Sequence, residues 1–204
     1  MPQRALFPTL LHKAEIPSDL GLEALDAACW MIEEGDQAGH AWCEREGYPG
    51  YTSYASLDDL PSRAPAFEAL AMGLAREADA FATALHWDMA GKRLSLSGFW
   101  VNILGEGMGH SGHIHPGSVL SGTAYVAMPA GAGALKLEDP RLAQFMAAPP
   151  LVEDTPEDLR RFVYVQPKAG EIYMWESWLR HEVMPSSCED ARISVSFNFA
   201  VEEV

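Results

Sequence analysis

Three of the chain's seven histidines crowd into one short stretch, GHSGHIHPGS, as His110, His113 and His115. Imidazole nitrogens bind transition metals. Two of them spaced i, i+2 on an extended strand project from one face, near enough to share an ion, while Ile114 between them points the other way. A lone histidine on a strand is usually a packed or solvated residue; a His-x-His pair beside a turn favours a metal more. A fourth candidate, His181 in WESWLRHEVMPSS, falls just past a predicted strand among Trp175, Trp178, Leu179 and Val183. Its ring serves either as a further ligand or as a buried group bonded to backbone. Eleven residues later Arg192-Ile-Ser194 opens another strand. With the chain turning between them, His181 and Arg192 are expected on neighbouring antiparallel strands facing one interior. A guanidinium there suits a bidentate grip on a carboxylate.

The strand that carries Arg192 alternates. Ile193, Val195, Phe197 and Phe199 share one face, and Arg192, Ser194, Ser196 and Asn198 share the other. A polar face can be solvated, but this one holds a guanidinium and hydroxyls with no Lys or Glu. A polar interior cavity is the better reading. Other strands are predicted over residues 94–104, 121–128, 133–138, 162–167 and 171–176, with His113–His115 at an end of one more and a Pro- and charge-rich insertion over 139–161. Strands this short and numerous indicate a sandwich or barrel. Ahead of them the spacing of Leu22, Leu25, Ala28 and Ile32 predicts a helix capped by Ser18 and running to about Glu46. A second helix is capped by Ser62, with Pro65 in its first turn and Phe67, Leu70, Leu74, Ala78, Phe81 and Leu85 along one face. The loop between them, residues 47–62, is rich in Gly, Pro, Ser and Tyr. A short strand fits within residues 4–16. The two helices are expected to cover one outer sheet face.

The chain has 204 residues, a length that suits one domain over 1–204: mainly helical support over 1–91 and a β core over 92–204. Fourteen Lys and Arg against 29 Asp and Glu give a formal charge of −15, which argues against nucleic-acid and anionic-membrane partners. No apolar stretch reaches the ~18 residues of a membrane span. Cys29, Cys43 and Cys188 are odd in number and far apart, with no C-x-x-C, and the start has no signal-peptide pattern; the expected compartment is the cytoplasm. The oligomeric state is left open, a homodimer included.

The order of these residues resembles the Fe(II)/2-oxoglutarate-dependent oxygenases, whose usual pattern is His-x-Asp, a distal His, and an Arg, often Arg-x-Ser, shortly after it. The resemblance runs over about residues 94–201, through HIHPGSVLSGTAYVAMP, GALKLEDPR, PKAGEIYMWESWLRHEVMP and RISVSFNF. The strings H-x-HPGS-x-LSG, EDPR and SWLxHEVxP are similar to a small bacterial and phage subgroup. The resemblance implies an α+β, mainly β fold: a double-stranded β-helix (jelly roll) with the N-terminal helices packed on one sheet. It implies Fe(II) as metal and 2-oxoglutarate as cosubstrate, with a small-molecule or peptide substrate. His113 matches the first metal ligand and His181 the distal one. Arg192 matches the residue that pairs with the far carboxylate of 2-oxoglutarate, Ser194 supports it, and Tyr125 matches a position whose hydroxyl reaches the same carboxylate.

The pattern departs at His115, where the family generally has Asp or Glu. Either His115 ligates and the site is three-His, or Glu138 or Asp139 supplies a carboxylate; the spacing favours His115. Trp100, Trp175 and Trp178 either shield the site or are plain core. Asn102 shares a strand face with Trp100, and His110 sits in the glycine-rich loop beside the pair. Two other functions compete. A three-His iron dioxygenase that cleaves its substrate without a keto acid has no need of Arg192-Ile-Ser194. A metal-stabilised jelly-roll binding protein would hold the ion without 2-oxoglutarate-dependent oxygen uptake. A sugar-binding or isomerase cupin fits less well, given the helical prefix and missing glycine-rich motifs.

Overall fold

The computed structural model describes residues 3–204. The helix expected from Ser18 to Glu46 is in three pieces. Ser18–Leu20 form a 3-10 turn, and Gly21 turns the chain at φ 57° before α1 (Leu22–Gly35), which has no side-chain cap. That positive φ suits glycine and separates Ser18 from the helix it was expected to cap. Asp36 leaves the helical region (φ −94°, ψ 73°). Its carboxylate accepts the Gly39 N–H at 2.9 Å, capping α2 (Gln37–Glu46). Ser62 likewise lies inside a single turn, α3 (Leu60–Arg63); α4 (Pro65–Ala84) starts from extended Ala64 with Pro65 in its first turn, as expected.

The described residues form ten strands: β1 (His12–Glu15), β2 (Tyr51–Thr52), β3 (Lys92–Leu104), β4 (His110–His113), β5 (Leu120–Ala127), β6 (Leu135–Glu138), β7 (Phe162–Val165), β8 (Glu171–Glu176), β9 (His181–Val183) and β10 (Arg192–Glu203). They form two antiparallel sheets, a jelly roll. The larger has the order β1-β8-β5-β10-β3-β2, the smaller β4-β9-β6-β7. Residues 139–161 carry one short helix, α5 (Gln144–Ala147), and a 3-10 turn.

The alternation of β10 separates two environments. Ile193, Val195, Phe197 and Phe199 pack with Phe99, Val101, Ile172 and Met174 against Leu25, Phe67, Leu70, Leu74 and Phe81 of the helices. This face is the main core, and the helices cover the large sheet. Gly122 is required there: a Cβ would strike the Phe197 ring and the Tyr173 carbonyl. The other face turns Arg192, Ser194 and Ser196 toward the smaller sheet, where Trp100, Asn102, Thr123, Tyr125 and Trp175 join them around a cavity. The polar face is an interior one. Among the described residues no helix is long and apolar enough to cross a membrane.

Candidate metal centre and its anion pocket

His181 opens a strand of its own, β9, three residues long, just past the predicted strand it was expected to follow. In register it stands directly opposite His113 of β4. Cross-strand partners are near neighbours, so two rings far apart in sequence meet at 4.3 Å between centroids. The strand expected to carry His113 and His115 together ends at His113; His115 lies in the turn beyond it. Its ring still stands 4.9 Å from that of His113, and its Nε2 lies 3.2 Å from Nε2 of His181. One nitrogen from each of His113, His115 and His181 lies within 4.8 Å of the other two. His181 and Arg192 are not on neighbouring strands as expected. They come from opposite sheets, so the imidazoles and the guanidinium face each other across the cavity.

The alternative carboxylates are engaged elsewhere. Glu138 pairs with Arg180 at 3.3 Å, and Asp139 holds Arg141 at 2.8 Å and Gln144 at 3.0 Å. Only Leu135 of β6 lines the cavity.

Backbone carbonyls orient two of the rings. His113 Nδ1 is 2.7 Å from the Ser111 carbonyl and His181 Nδ1 is 2.9 Å from that of Leu179. A ring nitrogen facing a carbonyl carries the proton, which leaves Nε2 with a lone pair for a metal. His115 Nδ1 faces the amide of Asn198 at 3.4 Å, and Ser121 donates to that amide's Oδ1 at 2.7 Å. A separation of 3.2 Å between two nitrogens also suits ligands at right angles on one ion, each about 2.1 Å from it.

Burial first, and then the neighbouring His113, lowers His115 to about 4 and His181 to about 3; His113 is also lowered, mainly by burial. All three are neutral near pH 7, as metal ligands must be. Protons therefore compete for these nitrogens well below the ordinary imidazole range. Affinity for Co(II) or Zn(II), measured by competition with a chelator of known affinity, is expected to stay nearly flat from about pH 8 to pH 6 and to fall steeply only below about pH 5. A midpoint near the ordinary value of about 6.5 would contradict the buried cluster.

The anion side of the cavity is built on β10. Arg192 is 1% exposed, donates to Ser194 Oγ at 3.0 Å, and stacks over the Tyr125 ring at 5.1 Å. No carboxylate partners it among the described residues, and its Nε has no hydrogen bond. The Tyr125 hydroxyl is buried and equally unpartnered; burial pushes it up to about 12, so it remains a donor. A buried cation without a counter-charge is costly, and an anion placed in this cavity would offset that cost.

The remaining candidates divide. Trp100 and Trp175 wall the cavity, their rings 5.8 Å from His115 and 4.7 Å from His181. Trp178 is 46% exposed and lines a separate groove with Trp87 and Ile114, on the far side of His115. Asn102 lies in the wall and donates to Ser196 Oγ at 3.0 Å. His110 stacks on His113 at 4.2 Å but is outside the three-nitrogen cluster. Tyr48 went unremarked in the sequence. It reaches the cavity from the loop after α2, its hydroxyl 3.5 Å from Asn102 Oδ1 and its ring edge-on to His110. Nothing in GYPGYTSY separates it from Tyr51, which bonds to Asp36 at 2.8 Å.

Residues 98–198 match the family model described as "Putative 2OG-Fe(II) oxygenase". No curated protein sequence matches the chain. Solved structures share the fold. A prolyl-4-hydroxylase from Pseudomonas putida superposes with a TM-score of 0.61 at 17% identity, covering 94% of this chain and 92% of that one. HygX from Streptomyces hygroscopicus, with nickel and 2-oxoglutarate bound, gives 0.58 at 13% identity over 95% and 82%. An oxidoreductase of the 2OG-Fe(II) oxygenase family from Burkholderia pseudomallei gives 0.50 at 14% identity; 67% of this chain is covered, and the chain spans 56% of that protein's length.

Proposed function

The chain belongs to the 2OG-Fe(II) oxygenase superfamily, and on that footing we propose that His113, His115 and His181 hold Fe(II), that Arg192, Ser194 and Tyr125 hold the far carboxylate of 2-oxoglutarate, and that a small-molecule or peptide substrate is hydroxylated beside them. Superfamily members are enzymes whose cofactors are Fe(II) and 2-oxoglutarate. The observation that carries the reading is the juxtaposition of three neutral imidazoles with a buried, unpartnered guanidinium and phenol in one cavity.

The donor set fits. Three side chains on one side of an ion leave positions open for further ligands, and the opposite wall offers the charge-assisted donors a carboxylate needs. Three neutral ligands leave the ion's double charge intact, and a dianionic keto acid matches it. Bound there, Fe(II) supplies the redox chemistry that couples decarboxylation of 2-oxoglutarate by O₂, yielding succinate and CO₂, to oxidation of the substrate. The protein's own residues bind, orient and exclude water. Arg192 and Tyr125 fix one end of the diacid, and Trp100, Trp175, Leu104 and Leu135 keep the cavity apolar between its two polar ends. The free space in the cavity is about 30 Å³, room for water but not for a diacid. The diacid therefore enters as wall side chains swing aside; Tyr48, His110 and His113, all half-buried, form the solvent side.

A three-His dioxygenase that dispenses with the keto acid leaves Arg192 without a counter-ion. The three free thiols, Cys29, Cys43 and Cys188, suit a reducing compartment, the cytoplasm. The direct test supplies Fe(II)-loaded protein with 2-oxoglutarate and O₂ and no other substrate. Slow, iron-dependent formation of succinate is expected from uncoupled turnover. Iron-loaded protein that forms none, with or without candidate substrates, would overturn the reading.

A further inference from the structure

Among the described residues, three buried side-chain polar atoms have no hydrogen-bond partner: Tyr125 Oη, Arg192 Nε and Trp175 Nε1. All three residues wall one cavity. The proposed function uses the first two and leaves the indole unexplained.

Trp175 is 1% exposed on the inner face of β8, opposite Ser121 in register, and packs in the cluster of Tyr125, Leu135 and Leu179. A buried tryptophan ordinarily finds an acceptor for its N–H; without one, a phenylalanine would fill the same space at less cost. The neighbouring groups do not serve. His181 Nδ1 carries the proton that faces the Leu179 carbonyl, and its Nε2 faces His115 Nε2 and is the nitrogen offered to a metal. The Tyr125 hydroxyl is itself unbonded. Trp175 shares one packed cluster with Tyr125 of the phenol-and-guanidinium end, and its ring centroid lies 4.7 Å from that of His181. It therefore bridges the two ends between which a keto diacid would lie. Trp175 is buried, whereas Tyr48, His110 and His113 of the same cavity are half-buried.

We infer that the Trp175 indole N–H is a binding group for the cosubstrate, donating a hydrogen bond to a carboxylate oxygen of 2-oxoglutarate held between Arg192 and the three histidines. The inference rests on the 2-oxoglutarate reading above. An indole N–H is a donor only, so it adds to the selection for an anion in a wall where, among the described residues, no carboxylate is present.

The test uses Zn(II)-loaded full-length protein with 15N-labelled indoles, titrated with 2-oxoglutarate. The Trp175 resonance is assigned by its absence from Trp175→Phe, or by its proximity to the His181 ring where that variant does not fold. It is expected to shift downfield with the bound fraction, while the exposed Trp30 indole stays in place. Trp175→Phe keeps the aromatic mass and is expected to raise the Kd for 2-oxoglutarate about ten- to a hundred-fold, the usual effect of losing a hydrogen bond to a charged group, with zinc stoichiometry unchanged. Wild-type protein that binds 2-oxoglutarate without moving the Trp175 resonance, or a Trp175→Phe variant of equal affinity, would overturn the inference alone. Zinc-loaded wild type with no affinity for 2-oxoglutarate would overturn the functional reading beneath it.

Discussion

Arg192→Ala is expected to raise the Kd of the metal-loaded protein for 2-oxoglutarate about thirty-fold to a few thousand-fold and to leave metal content unchanged. Truncating one side of a buried charged pair costs roughly 2–5 kcal/mol, much of it from leaving the other charge unpaired. Arg192 meets the conditions for the upper part of that range: it is 1% exposed, backed by Ser194 and Tyr125, and without a competing carboxylate among the described residues. Arg192→Lys should recover only part of the loss, since an ammonium has no planar fork. A second signature distinguishes binding from support of the fold. In the ligand-free protein the guanidinium is a buried charge awaiting a partner, so Arg192→Met should not lower Tm and is expected to raise it. Calorimetric titration and thermal melts give both numbers. Unchanged affinity for 2-oxoglutarate would mean the cosubstrate is held elsewhere.

His181→Ala is expected to abolish iron binding at micromolar metal while the chain stays folded. The residue faces His113 across the β4–β9 pair, and its Nε2 looks at that of His115. Loss of groups that merely orient a ligand weakens metal sites ten- to a hundred-fold, so loss of the ligand itself should exceed roughly a hundred-fold. His115→Ala should weaken iron comparably. His115→Asp should keep it, because a carboxylate at this position restores an anionic oxygen donor. Glu138→Gln and Asp139→Asn are expected to change nothing at the metal, since their carboxylates serve Arg180 and Arg141. Elemental analysis of the five variants decides among these. Full iron in His115→Ala, with loss in either carboxylate variant, would replace the three-histidine site by a mixed one.

The parts of this architecture that repeat locally were legible in the sequence. The two-residue alternation of Ile193 to Phe199 against Arg192 to Asn198 separated an apolar from a polar face, and a guanidinium and hydroxyls with no Lys or Glu marked the polar face as an interior one. The strands and the two long apolar stripes of the helices follow for the same reason. What depends on a single residue's backbone was not legible. Gly21 and Asp36 bound a helix whose periodic apolar positions, Leu22 to Ile32, lie wholly between them, and nothing in that spacing marks either break. The strand β9 is three residues long and owes its pairing to His113 and Leu137 on other strands, not to any pattern of its own. His115 joins the other two histidines from a turn, so the rings cluster by a geometry other than the same-face one expected from the spacing. Tyr48 shows the limit in the other direction. Three tyrosines occupy one loop, and the one that enters the cavity is chosen by how Asp36 holds Tyr51 and Ser56. A partner-free indole inside an otherwise ordinary apolar strand carries no signal in the sequence.

The most direct measurement is an anaerobic titration of the wild-type protein with 2-oxoglutarate, run with and without stoichiometric Fe(II) and followed by calorimetry and visible absorption. Expected is one saturable binding event per chain that requires iron and brings up a new visible band as the keto acid chelates the metal. Iron bound to the three histidines with no iron-dependent binding of 2-oxoglutarate would contradict the joint site of His113, His115, His181 and Arg192.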